Sequence, residues 1–212
     1  MKLFMFEHCW LCFRVRMTAA LKQKHLQEVV VLDDDTDTMV ALVGKRVVPI
    51  LVKDDGQPML ESMDMVRYID GQGEPVLTGI ERPEIARWEA EIGPKAARLT
   101  QPRYLLLGLP EFASAAALDH YQLRKRRTLG DLVELRAETR RYIAELTPDL
   151  EALDRMIESP RAVNGTLSLD DVRVLPILRS LGVVKGLRFP QRVRDYFETM
   201  MARINYQPLP TA

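Results

Sequence analysis

Residues 3–12, Leu3-Phe4-Met5-Phe6-Glu7-His8-Cys9-Trp10-Leu11-Cys12, contain both cysteines of the 212-residue chain. Leu3 to Phe6 is a compact apolar run and reads as a strand. From Cys9 to Lys24 the pattern turns helical: Leu11, Cys12, Val15 and Ala19 fall on one stripe about 100° wide at 3.6 residues per turn. The C-x-x-C therefore sits where a strand feeds the first turn of a helix. The spacing alone admits half a zinc site, a structural disulfide or a redox dithiol. Zinc asks for about four protein ligands in a closed site. A second C-x-x-C is missing, and His8, His25 and His120 are scattered. Strand–C-x-x-C–helix order favours the redox dithiol. A helix N-terminus presents unpaired N–H groups and a partial positive charge, which favour thiolate over thiol at Cys9. Cys12, one turn on and within the apolar stripe, is placed to resolve a mixed disulfide at Cys9.

Working outward, Glu28 to Leu32 (EVVVL) reads as a second strand, bounded by the acidic loop DDDTDT. Pro49 to Lys53 is a third, Asp54-Asp55-Gly56 a turn, and Gln57 to Leu60 a short fourth. Ser62 is read as the cap of a helix carrying Met63, Val66, Tyr68 and Ile69. The order β-α-β, crossover, β-β-α predicts one four-stranded sheet. Gly71, Gly73, Pro75, Gly79 and Pro83 then crowd together as a linker. Beyond it the texture is helical, over Glu84–Thr100, roughly Pro110–Thr147, Pro148–Ser159, Ser168–Leu181 and Pro190–Ile204. Ser168-Leu169-Asp170-Asp171 is a capping box, with Leu167 and Val172 at the staple positions. The helix after it is apolar almost all round and reads as the buried centre of that half, with Pro176 as its irregularity. Strands followed by helices predict two domains: residues 1–71, a linker at 72–83, and 84–212.

Composition narrows the function. Lys+Arg and Asp+Glu both number 30, so nothing points to nucleic acid or to an anionic membrane as partner. The apolar clusters are far short of a membrane span. MKLFMF is too short for a signal-peptide core, which predicts a reducing cytosol, where a C-x-x-C is catalytic or metal-binding more often than structural. Val47-Val48-Pro49-Ile50 reads either as a strand opening or as a cis-proline turn whose Val48 backbone groups can pair with a peptide-like ligand. Glu61-Ser62-Met63-Asp64 reads either as an ordinary acidic helix start or as an anion site. The basic run Arg124–Arg127 reads as a solvated helix face.

EHCWLC after a first strand, GKRVVPILVKDDG, LESMDMVRYID, LTGIERPEI and AVNGTLSLDD, in that order, resemble the bacterial glutaredoxin 2 family, glutaredoxins built like glutathione transferases. The resemblance runs through nearly the whole chain. It implies a thioredoxin-like α/β N-terminal domain with an all-α C-terminal domain, and glutathione as cosubstrate; no metal is expected, on the ligand count above. It also implies Cys9 as attacking thiol, Cys12 as resolving thiol, Val48 before a cis-Pro49 as the holder of the cysteinyl backbone of glutathione, and Glu61 and Ser62 as holders of its γ-glutamyl end. Partners would be glutathione and glutathionylated or disulfide-bonded proteins, with the chain a monomer or weak dimer. The family's C-P-Y-C is here Cys9-Trp10-Leu11-Cys12, and Glu7 stands at a position that small glutaredoxins often make basic, leaving Lys45 and Arg46 as candidate cations for the glycyl carboxylate. Two alternative functions share the fold: a glutathione transferase acting on electrophiles, and a non-catalytic glutathione- or metal-binding module.

Overall fold

The computed structural model describes residues 1–212. The chain forms β1 (Lys2–Met5), α1 (Trp10–Leu21), β2 (Gln27–Val30), α2 (Thr36–Val43), β3 (Ile50–Val52), β4 (Pro58–Met59) and α3 (Ser62–Asp70). It continues with α4 (Pro83–Tyr104), a 3₁₀ turn (Pro110–Phe112), α5 (Ala115–Leu129), α6 (Leu132–Ala137), α7 (Thr139–Met156), α8 (Leu169–Leu181) and α9 (Gln191–Ile204). Two compact units result. One joins Met1–Glu74 with Gly108–Gly130; the other joins Pro75–Leu107 with Asp131–Ala212.

In the first unit the sheet has the order β2-β1-β3-β4. β1 runs parallel to β2 and antiparallel to β3, with Phe4 opposite Ile50, and β3 pairs antiparallel with β4. Alternation along the strands sends side chains to two faces. Leu3, Met5 and Leu51 join Cys12, Val15 and Ala19 of α1 and Met65 and Ile69 of α3 in one core. Phe6, Val31 and Ile50 join Met39 of α2 in the other. The stripe expected on α1 is present but too narrow: Phe13, Arg14, Arg16 and Met17 are buried as well.

The acidic segment read as a loop contains helix α2. Asp35 accepts from the Thr38 N–H at 3.0 Å, and Gly44 closes the helix at φ +75°. Such a cap and left-handed stop are ordinary helix signals, here masked by the run of aspartates.

In the second unit α4 packs against α7 and α8, and α7 against α9. The single helix read over Pro110–Thr147 is in fact a short turn and parts of three helices. Ser114 caps α5 by accepting from Ala117 N–H, Gly130 at φ +92° ends it, and Asp131 caps α6. The expected break at Pro148 does not occur, and α7 runs through it. A mid-helix proline costs about 3 kcal/mol. Burial of Leu146, Leu150 and Leu153, the Trp88 Nε1–H bond to the Asp149 carbonyl (2.9 Å) and the Lys95–Asp149 pair offset that cost. Likewise α8 is continuous through Pro176.

The capping box at Ser168 and Asp171 is formed. It sits in a buried network that reaches the linker. Asp170 accepts from Arg82 N–H at 2.8 Å, and the Asn164 amide donates to the Ile80 carbonyl at 2.7 Å. Gly79 N–H donates to the Leu167 carbonyl at 2.7 Å, and a Cβ on Gly79 would lie 2.4 Å from the Thr166 carbonyl oxygen. Only glycine tolerates that approach.

Candidate functional site

Cys9 is the N-cap of α1, with φ −74° and ψ 114°. Its amide donates to the Phe6 carbonyl at 3.2 Å, closing a tight turn out of β1. Its Sγ accepts from the Cys12 N–H at 3.3 Å. Cysteine thus takes the place of the serine or aspartate that usually fills this position, and the helix N-terminus is spent on stabilising sulfur. The Cys12 thiol and the amides of Cys12 and Leu11 draw the Cys9 thiol below its ordinary pKa, against burial and the nearby Glu111 carboxylate. Cys12 behaves oppositely. It is wholly buried, and burial together with the Cys9 sulfur pushes its thiol well above the usual range. Of the two thiols, Cys9 is half-buried and ionises first.

The Val48–Pro49 peptide is cis and leads directly into β3. Because Ile50 pairs with Phe4, the turn lies beside the end of β1 that feeds Cys9. Cys9 and Val48 rest on the same two cores. Glu61 and Ser62 stand at the start of α3, which packs along α1. The reading of Ser62 as N-cap is off by one residue. Glu61 is the N-cap, exposed and at φ +65°, with no side-chain cap bond. Ser62 is the first helical residue, buried, and its hydroxyl accepts from Arg14 Nη1 at 3.4 Å. The structure therefore gathers Cys9, Cys12, Val48 and Pro49 where β1 ends and the antiparallel β3 begins, and presents the Glu61-Ser62 helix start from the neighbouring α3.

Several side chains near this site carry no local sequence signal. Arg16, buried in α1, pairs with Glu7 and Glu28, each at 2.9 Å, so the anomalous Glu7 is neutralised from within the unit. Arg46 donates to the Asp33 carbonyl and lies 3.2 Å from its carboxylate, which engages one of the two cations proposed for a glycyl carboxylate; Lys45 is exposed. Of the basic run expected as a solvated face, Arg126 and Arg127 are exposed but Arg124 and Lys125 are not. Arg124 reaches the fully buried Asp33 at 2.7 Å, and His120 reaches it at 2.8 Å. Lys125 lies 5.4 Å from the Tyr121 ring centre, and burial beside Arg124 lowers its pKa to about 8, with Cys9 and Asp33 opposing the shift. Asp33 lies 91 residues from Arg124 and 87 from His120, beyond the reach of any local pattern.

Two family matches together span most of the chain. Residues 3–76 match the glutathione S-transferase N-terminal domain, and residues 84–209 match the glutaredoxin 2 C-terminal domain. Glutaredoxin 2 of Escherichia coli K12 is 40% identical over 201 residues, 94% of each chain. The chain belongs to the glutaredoxin 2 family. Among solved structures, glutaredoxin 2 of Salmonella typhimurium in complex with glutathione superposes with a TM-score of 0.94 at 35% identity, covering 98% of this chain and 96% of the other. Gtt2 of Saccharomyces cerevisiae, at 20% identity, shares the fold with a TM-score of 0.61 over 97% and 99% of the two chains. The thioredoxin-like sheet unit and the helical unit are thus those of a glutathione-transferase-like glutaredoxin 2, the fold class read from the sequence. No helix is long and apolar enough to cross a membrane.

Proposed function

We propose that this glutaredoxin 2 relative is a glutathione-dependent thiol–disulfide oxidoreductase working through Cys9 and Cys12. The observation that carries the reading is the asymmetry of the dithiol: a stabilised, half-buried Cys9 at a helix N-cap and a wholly buried Cys12 with a raised pKa. The glutathione seen in the Salmonella relative supports glutathione as cosubstrate. Cys9 thiolate attacks the glutathione sulfur of a mixed disulfide. A Cys9–glutathione disulfide forms, and the substrate leaves as thiolate and takes up a proton. A second glutathione thiolate then attacks the glutathione sulfur, releasing oxidised glutathione and restoring Cys9. With a protein disulfide, Cys9 forms the mixed disulfide and Cys12, once deprotonated, displaces the second substrate sulfur. The resulting Cys9–Cys12 disulfide is reopened by two glutathiones.

In this reading the Val48 N–H and C=O, set by the cis-Pro49 turn, pair with the cysteinyl backbone of glutathione as an added strand. The start of α3 at Glu61 and Ser62 takes its γ-glutamyl end. The donors left free of a side-chain cap at that helix start favour its carboxylate. Glutathionylated and disulfide-bonded proteins are the partners, the compartment is the reducing cytosol, and the chain works as a monomer or weak dimer. Cys12 argues for a glutaredoxin over a transferase, which has no use for a second, buried thiol.

The test is glutathione-coupled reduction of a small mixed disulfide. Cys12→Ser is expected to retain deglutathionylation and to lose reduction of protein disulfides, since only the second reaction needs a resolving sulfur. Loss of both together would defeat this division of labour. The rate of Cys9 alkylation should rise with pH with its midpoint below that of an ordinary thiol, about 8.5, because the lowered pKa shifts the balance toward thiolate. A midpoint at or above that of free cysteine would remove the physical basis of the assignment.

A further inference from the structure

The segment Gly108–Gly130 folds with the sheet unit although its sequence neighbours on both sides belong to the helical unit. What it brings to Cys9 is a fully buried carboxylate, Glu111. One oxygen, Oε1, accepts from the backbone N–H of His8 at 3.0 Å and also from His8 Nδ1, so a single atom grips the residue before Cys9 twice. The His8 ring is stacked between Phe6 and Phe112, at 5.6 and 5.4 Å between centroids, with the Tyr121 edge against it at 5.5 Å. The Glu111 carbonyl accepts from the Asp33 N–H at 2.9 Å, anchoring the acid's own backbone. The other carboxylate oxygen, Oε2, has no hydrogen-bond partner.

A neutral glutamine would supply the Oε1 contacts without burying an anion. A buried, half-satisfied carboxylate costs stability that such a clamp does not require. The His8 contacts nevertheless hold Glu111 below the ordinary carboxylate range despite its burial, so the charge is kept. That charge opposes ionisation of Cys9. A thiolate made too stable is a poor nucleophile, and the best attacking thiol has a pKa near ambient pH.

We propose that Glu111 is a positioning residue for Cys9: it fixes the Phe6–Cys9 turn by accepting from the backbone N–H and the ring Nδ1 of His8, and its charge restrains the thiolate so that Cys9 remains a strong nucleophile. The proposal rests on the reading of Cys9 as the nucleophile. The ionisable and polar groups facing Cys9 are the Cys12 thiol and the Leu11 and Cys12 amides from α1, Glu111 from the 3₁₀ turn and Lys125 from α5. Arg16 acts on Cys12.

The experiment is the pH dependence of Cys9 alkylation by iodoacetamide in the full chain, with the adduct located by mass spectrometry. It needs no disulfide substrate, so failure of the oxidoreductase reading would appear separately, as absent glutathione-coupled turnover. Glu111→Gln, whose amide oxygen can still accept from the backbone N–H and Nδ1 of His8, is expected to move the midpoint down by about half a pH unit or more. Glu111→Ala should move it down as well and lower the high-pH plateau about tenfold, because the turn is released. If Glu111→Ala does not fold, His8→Phe keeps the ring stack, removes the Nδ1 contact and should lower the plateau severalfold. An unmoved or raised midpoint in Glu111→Gln would overturn the proposal. So would a wild-type plateau in Glu111→Ala or, where that variant does not fold, in His8→Phe.

Discussion

Replacing Cys9 with serine is expected to abolish glutathione-coupled reduction of a small mixed disulfide, lowering kcat/KM at least about a thousandfold, because a serine hydroxyl stays protonated where a cysteine at this position ionises. The loss should come without loss of fold. Cys9 is a helix N-cap whose Sγ accepts from the Cys12 N–H, and a serine hydroxyl is a favoured acceptor there. An unchanged thermal midpoint beside vanished turnover would therefore locate the chemistry in the sulfur. Appreciable turnover in the folded variant, above about one tenth of wild type, would place the nucleophile elsewhere and sink the dithiol mechanism. Trp10 and Leu11 stand where the C-P-Y-C pattern of the family resemblance would have Pro and Tyr, so wild-type activity would also show that the site works without them.

The largest stability effect is expected from Asp171→Ala. The Asp171 carboxylate accepts from the Val163 N–H at 2.8 Å, the Ser168 N–H at 2.8 Å and the Tyr196 hydroxyl at 3.0 Å. Asp171 and Tyr196 are wholly buried, and burial pushes the pKa of both upward. Alanine leaves two buried N–H groups and a hydroxyl without an acceptor, each costing about 1–3 kcal/mol. Since relaxation recovers part of that sum, a total of about 3–5 kcal/mol is expected, or a fall of about 10 °C or more in thermal midpoint for a chain of this size. Chemical denaturation of wild type, Asp171→Ala and Asp171→Asn would measure it. The asparagine variant keeps one acceptor oxygen and should fall between the other two. A loss below about 1 kcal/mol in Asp171→Ala would mean that the network is satisfied by other groups.

The first strand, the C-x-x-C helix, the EVVVL strand and the Ser168 capping box were legible because each is written in adjacent residues. Alternation, β-branching and a four-residue cap pattern are local signals, and local backbone preferences answer to them. Helix α2 was legible in principle from Asp35 and Gly44, but the acidic run disguised it. The start of α5 was also signalled by Ser114, and the break between α5 and α6 by Gly130 and Asp131. Pro148 misled in the opposite direction, since packing of α7 outweighs what a proline does to an isolated helix.

Near the site the division is sharper. Cys9 and Cys12 announced themselves, and their unequal chemistry followed from their places on one helix turn. Glu111 gave no sign in its own neighbourhood, because its partner His8 lies 103 residues away. Arg124 and Lys125 looked like solvent-facing charges because nothing nearby in sequence reveals a buried Asp33, 91 residues from Arg124. Residue order along the chain was enough to indicate the strand-then-helix order of the fold, the C-x-x-C at a helix start and the Ser168 capping box, since these patterns are written within a turn or two of chain. Which charges are buried, which acid stands behind the nucleophile, and that residues 108–130 fold with the sheet unit depended on the assembled chain. Burial and long-range pairing are properties of distance in space, and spacing in sequence carries almost no record of them.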